Sequence, residues 1–116
     1  RAERPVRVLV EINIAGEQSK FGIPPDRAVT TVQQMAELPG LHIEGLMTME
    51  PYLEDPEEAR PYFQRMRELF EELKGLDAPH VRMEVLSMGM TNSYRVAVEE
   101  GSNMVRIGTA IFGPRD

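Results

Sequence analysis

The chain has 116 residues, 41% of them apolar and 28% charged, which suits one small core and excludes both a disordered chain and a membrane span of about 20 residues. Thirteen basic against nineteen acidic side chains give a formal charge of −6, so the basic footprint of a nucleic-acid binder is missing. Without cysteine there is no disulfide, thiolate nucleophile or Cys-ligated zinc, and only His42 and His80 remain as imidazole ligands.

Residues 6–13 are β-branched and mostly apolar, ending in polar Glu11 and Asn13. Such a run predicts a strand buried on both faces, as in parallel sheets. A loop over residues 15–22 leads to Pro24-Pro25-Asp26, which opens a helix with Ala28, Val29, Val32, Met35 and Ala36 on one stripe. Pro39-Gly40 stops it. Residues 41–49 form the second strand. Asp55 then caps a helix with Pro56 and two acids in its first turn, and Phe63, Met66, Leu69, Phe70 and Leu73 make the apolar stripe. Pro61 either kinks this helix or marks its regular start, and Gly75 stands where a C′ glycine belongs. A third strand over 81–86 is followed by a short helix over 93–100, with Tyr94, Ala97 and Val98 inward and Gly101 closing it. The apolar run 104–112 is the fourth strand.

The order β-α-β-α-β-α-β predicts an α/β fold of four parallel strands and three helices, half of a (β/α)8 TIM-type barrel. Residues 1–116 read as a single domain with no linker. The chain opens on Arg1 without an initiator Met and stops at Asp116 just after an apolar strand, so it reads as a piece of a longer protein. With no signal peptide, a cytoplasmic address is the default.

Ligands in parallel α/β folds bind at the carboxyl ends of strands. One such exit is Ser87-Met88-Gly89-Met90-Thr91-Asn92, where Gly89 lets the backbone approach a ligand and Thr91 or Asn92 can cap a helix whose N–H groups attract an anion. Taken alone, Ser87 and Gly89 read as turn chemistry more readily than as a ligand cradle. The other exit is Val105-Arg106-Ile107-Gly108-Thr109-Ala110, with a permanent cation at Arg106 and amide and hydroxyl donors at Gly108 and Thr109. Arg106, set among Val, Ile and Ala, needs a buried carboxylate such as Glu11 or Glu84, or else an anionic or aromatic ligand. Its combination with the preceding Ser-Gly exit favours the ligand.

Other residues carry less. Lys20 reads as a solvated loop lysine, and His42 and His80 have no partner at metal spacing, so no metal site is expected. The methionines are mostly core filler, with Met47 and Met49 placed to line a pocket, and residues 54–58 and 71–72 form solvated acidic faces. No acid–base pair and no nucleophile–base arrangement emerges; the signal is for binding.

The runs Leu86-Ser87-Met88-Gly89-Met90-Thr91 and Gly101-Ser102-Asn103-Met104-Val105-Arg106-Ile107-Gly108-Thr109-Ala110-Ile111-Phe112-Gly113 strongly resemble the pyridoxal-phosphate homeostasis protein family. Val8-Leu9-Val10-Glu11-Ile12-Asn13, Ser19-Lys20-Phe21-Gly22 and Gly45-Leu46-Met47-Thr48-Met49 match in the same order. The resemblance implies the alanine racemase N-terminal barrel and a non-catalytic role, holding and buffering pyridoxal 5'-phosphate (vitamin B6 cofactor). It implies that Ser87 and the amides of Gly108 and Thr109 hold the phosphate, that Gly89 allows its approach, and that Arg106 faces the pyridine nitrogen. A cation there disfavours protonation of the ring nitrogen and leaves the ring a weak electron sink.

The family barrel runs to about twice this length, near the size of a full (β/α)8 barrel. Its Schiff-base lysine belongs to the first strand of the half that is absent here, and neither Lys20 nor Lys74 occupies that position. The chain thus resembles a carboxyl-terminal half-barrel. Its open edges imply self-association or pairing with the amino-terminal half. Two competing readings are the phosphate-binding half of a racemase-like or decarboxylase-like enzyme, and a bare assembly unit. No nucleic-acid or membrane partner is expected.

Overall fold

A computed structural model of the chain describes residues 5–16 and 21–105. Three parallel strands, β1 (Val6–Glu11), β2 (Leu41–Met47) and β3 (Val81–Ser87), lie side by side in that order. The helices α1 (Ala28–Met35), α2 (Arg60–Lys74) and α3 (Tyr94–Glu99) alternate with them. Beyond β3, Met104 forms a parallel bridge with Ser87, where the fourth strand is expected to begin. Residues 106–116, which carry the rest of that expected strand, lie outside the described residues.

Register explains the core. Val10, Leu46 and Leu86 stand side by side across the three strands, all buried, and share one cluster with Val32 of α1, Phe63, Met66, Leu69 and Leu73 of α2, and Val96 and Ala97 of α3. Each fully buried Leu, Met or Phe contributes about 1.5–3 kcal/mol by leaving water. Upstream, Val8 pairs with Ile43, and between these rows β2 carries one residue more than β1. That bulge lets Ile43 and Leu46, three residues apart, both reach the core, which strict alternation forbids. Gly45 sits within it. A Cβ there would run into the Val85 carbonyl, with its carbon at 2.7 Å.

Several expectations need correcting. Val6 and Arg7, consecutive and so on opposite faces, are exposed, and the two-faced burial of β1 fails at its amino end. Of the two readings of Pro61, the regular start of α2 holds and the kink does not. Asp55 accepts the Glu57 amide at 3.0 Å and opens a 3-10 turn over Pro56–Ala59, after which Pro61 sits in the first turn of the regular helix, where its missing N–H costs nothing. Gly75 caps α2 at φ −83°, so the left-handed C′ conformation is not used. In α3 the inward residues are Val96 and Ala97, while Val98 and Tyr94 face outward.

Arg60 ties the start of α2 to the end of α3. Its guanidinium donates to Glu57 at 2.8 and 2.9 Å, to Glu99 at 2.7 Å and to Glu100 at 2.7 Å. Hydrogen bonds to Arg60 hold the Glu57 carboxyl below the usual carboxylate range, and the three acids push the guanidinium up. The folded state therefore binds fewer protons at Glu57 than the unfolded chain. The stabilisation is complete above the ordinary Glu value of about 4.3 and is lost as pH falls through the lower folded value. Arg60→Ala is expected to melt earlier than wild type at pH 7, with the gap closing below about pH 4 and narrowing in salt. Thermal melts across pH check this.

Candidate functional site

Beyond the buried row of Val10, Leu46 and Leu86, the next register row is Glu11, Met47 and Ser87. Strand alternation turns this row to the face away from the helices. Ser87 ends β3 and is 3% exposed, yet its hydroxyl meets no partner among the described residues. No buried side-chain polar atom among the described residues lacks a partner, so this hydroxyl keeps an opening to solvent, and an unpartnered, accessible hydroxyl at a strand exit is a donor held ready for a ligand. The neighbouring exits are knitted together. The Thr48 amide donates to the Ser87 carbonyl at 3.0 Å, and the buried Thr48 hydroxyl donates to the Ile12 carbonyl at 2.6 Å.

The segment after Ser87 spends its amides internally. The Met88 N–H donates to the Met104 carbonyl at 3.0 Å, that of Gly89 to the Glu50 carboxylate at 3.4 Å, and that of Met90 to the Ser93 hydroxyl at 3.0 Å. Gly89 adopts φ +105°, and a Cβ on it would stand 2.7 Å from that of Ala97. Its missing side chain thus gives α3 room to pack. Thr91 and Asn92 do not cap α3. Ser93 holds the cap position without a side-chain cap bond, and the Asn92 amide donates to the Leu53 carbonyl at 2.8 Å.

Ser102 and Asn103 set the direction in which the chain enters the next exit. The Ser102 hydroxyl lies 2.8–3.2 Å from the carbonyls of Leu86, Met88 and Met104. The Asn103 side chain works as a short strand: its amide donates to the Glu84 carbonyl at 2.7 Å, and its oxygen accepts the Leu86 N–H at 2.8 Å. Asn103→Ala leaves both backbone groups unpaired and is expected to cost about 1–2 kcal/mol, read by urea denaturation. Arg106, Gly108 and Thr109, and Lys20, lie outside the described residues. Glu84, one suggested partner for Arg106, is paired with Arg82 at 3.0 Å.

Sequence reasoning passed over Glu50, Ser93, Ser102 and Asn103. Glu50 carried a usable signal, since it follows a strand exit directly. The imidazoles belong elsewhere: His42 and His80 stack at 4.7 Å at the entry end of the sheet, beside the Arg7–Glu44 pair at 3.2 Å. No cluster of three or more metal-ligating side chains occurs among the described residues. Nor is any helix among them long and apolar enough to cross a membrane.

Residues 1–116 match the family described as alanine racemase, N-terminal domain. The chain belongs to the alanine racemase N-terminal domain family. It is 46% identical over 111 residues to the protein of Aquifex aeolicus named pyridoxal phosphate homeostasis protein, covering 93% of this chain and 46% of that one. Among solved structures it is similar to a protein of unknown function from Bifidobacterium adolescentis, with TM-score 0.87 and 38% identity over 94% of this chain and 44% of that one. It is also similar to PipY of Synechococcus elongatus with pyridoxal phosphate bound, at TM-score 0.77 and 29% identity over 95% of this chain and 50% of that one. This family member therefore spans about half the length of the curated relatives it matches. Its parallel βα units are those of an alanine-racemase-like barrel, three strands being described where four were expected.

Proposed function

We propose that the protein binds pyridoxal 5'-phosphate reversibly and serves vitamin B6 cofactor homeostasis without catalysing a reaction of its own. In this reading Ser87 and the amides of Gly108 and Thr109 hold the phosphate, and Arg106 stands beside the pyridine nitrogen. Gly89 lets α3 close over the Ser87 exit. The observation that carries the proposal is the Ser87 hydroxyl at the end of β3, which has no protein partner among the described residues and opens from an otherwise buried residue. The likeness to PipY, whose structure holds this ligand, supports the choice of ligand. When bound, the cofactor supplies an aldehyde and a phosphate dianion, and the residues named here act on the phosphate end and the ring nitrogen.

Residues 1–116 form, on the same proposal, one half-barrel domain of a longer cytoplasmic protein. The free edge of β1 is then covered by the amino-terminal half or by a second copy of the chain. Calorimetric titration of the full protein tests the proposed ligand. Saturable binding of pyridoxal phosphate, and weaker binding of inorganic phosphate at the same site, is the expected result. Absence of both sinks it, and turnover of an amino acid by the loaded protein would favour the enzyme reading instead.

A further inference from the structure

Glu50 has no part in the ligand contacts proposed above, yet it is the only charged side chain buried among the described residues, at 4% exposure. It follows the exit of β2 and reaches across to the exit of β3. One carboxylate oxygen accepts the Gly89 amide at 3.4 Å and the other the Ser93 hydroxyl at 2.9 Å. No basic side chain pairs with it among the described residues. A buried carboxylate with one good and one long hydrogen bond keeps most of its field. An amide and a hydroxyl converging on an anion at a strand exit are also the donor types that receive a phosphate oxygen.

We infer that Glu50 is a resident anion of the Ser87 exit, which occupies two donors and opposes the charge of an incoming phosphate, so that the site's affinity for phosphorylated ligands is held down. This rests on the phosphate-site reading of Ser87. The two groups belong to adjacent exits, and with water-like screening (an effective dielectric of about 80) a unit charge about 6 Å from a dianion changes its affinity on the order of 10-fold. The effect is selective: a ligand lacking the phosphate does not feel it.

The test compares inorganic phosphate, pyridoxal phosphate and unphosphorylated pyridoxal by calorimetry on the full protein. Glu50→Gln keeps the shape and removes the charge; it is expected to bind both phosphorylated ligands on the order of 10-fold more tightly and pyridoxal unchanged. Ser93→Ala keeps the charge and removes one hydrogen bond, and is expected to bind phosphate no more tightly than wild type. Unchanged or weaker phosphate binding in Glu50→Gln overturns the inference, and so does equal tightening for pyridoxal. Glu50→Ala serves as a second neutral variant. If neither neutral variant folds, the inference also fails, because the carboxylate is then a structural element. Wild type that binds no phosphorylated ligand removes the proposed function together with this inference. Wild type that binds them, with Glu50→Gln no tighter, removes the inference alone.

Discussion

Gly45→Ala is expected to destabilise the fold by at least about 3 kcal/mol, at the upper end of what overpacking costs. The cause is spatial, since the added methyl runs into the Val85 carbonyl and lies 2.7 Å from its carbon and 2.9 Å from the Val85 nitrogen. No side-chain rotation relieves a clash with backbone. β3 must move away from β2 just where Leu46 pairs with Leu86 and Met47 with Ser87, so ladder hydrogen bonds and core contacts are lost together. Gly75→Ala is the contrast. There the backbone has φ −83° and the nearest atom to a new methyl is 3.6 Å away, so the change is expected to be neutral or stabilising by about 0.4–1 kcal/mol. Urea denaturation of the two variants beside wild type decides the matter. A Gly45→Ala protein within about 1 kcal/mol of wild type would show that the strands part more easily than the close approach implies.

The second large effect is on binding. Loss of a hydrogen bond or contact to a charged ligand group costs about 1.5–3 kcal/mol, or about 10–100-fold in affinity. Ser87→Ala is expected to weaken inorganic phosphate and pyridoxal phosphate by similar factors, because the hydroxyl serves the head group common to both. Arg106→Ala is expected to weaken pyridoxal phosphate by about 10–100-fold and inorganic phosphate much less, because the guanidinium is assigned to the ring. Titrating both ligands into both variants separates the two roles. Unchanged pyridoxal phosphate binding in Arg106→Ala would remove that residue from the site.

The elements were legible where the signal was long. α2 has 15 residues, and its five apolar positions recur over about three turns, so its buried stripe could be read directly from the sequence. α3 has six residues, too few to define a stripe, and Val98 was placed inward when Val96 belongs there. The parallel order followed from strand–helix alternation, but the bulge in β2 did not, because Gly45 in a strand has no local signature for what lies across from it. Strand exits pointed to Ser87, whose burial and unpartnered hydroxyl only coordinates reveal. Glu50 and Asn103 escaped notice for a shared reason. A carboxylate and an amide in polar stretches read as solvated until a neighbouring strand brings a backbone group to them.

The irregularity in β2 also acts as a gauge of length for everything downstream. Because one surplus residue separates the Val8 and Leu9 partners, Thr48 and Glu50 reach the top of the sheet in their observed rotation. Deleting a single residue between Ile43 and Leu46 would close the bulge and leave the two side chains two residues apart on one face, whereas a deletion between Leu46 and Glu50 would turn Glu50 away from Gly89. An equal deletion in the connector over residues 75–80 shifts no strand's facing. The spacing from Leu46 to Glu50 is therefore intolerant of indels, while point substitutions at outward positions within it, such as Met49, are permissible.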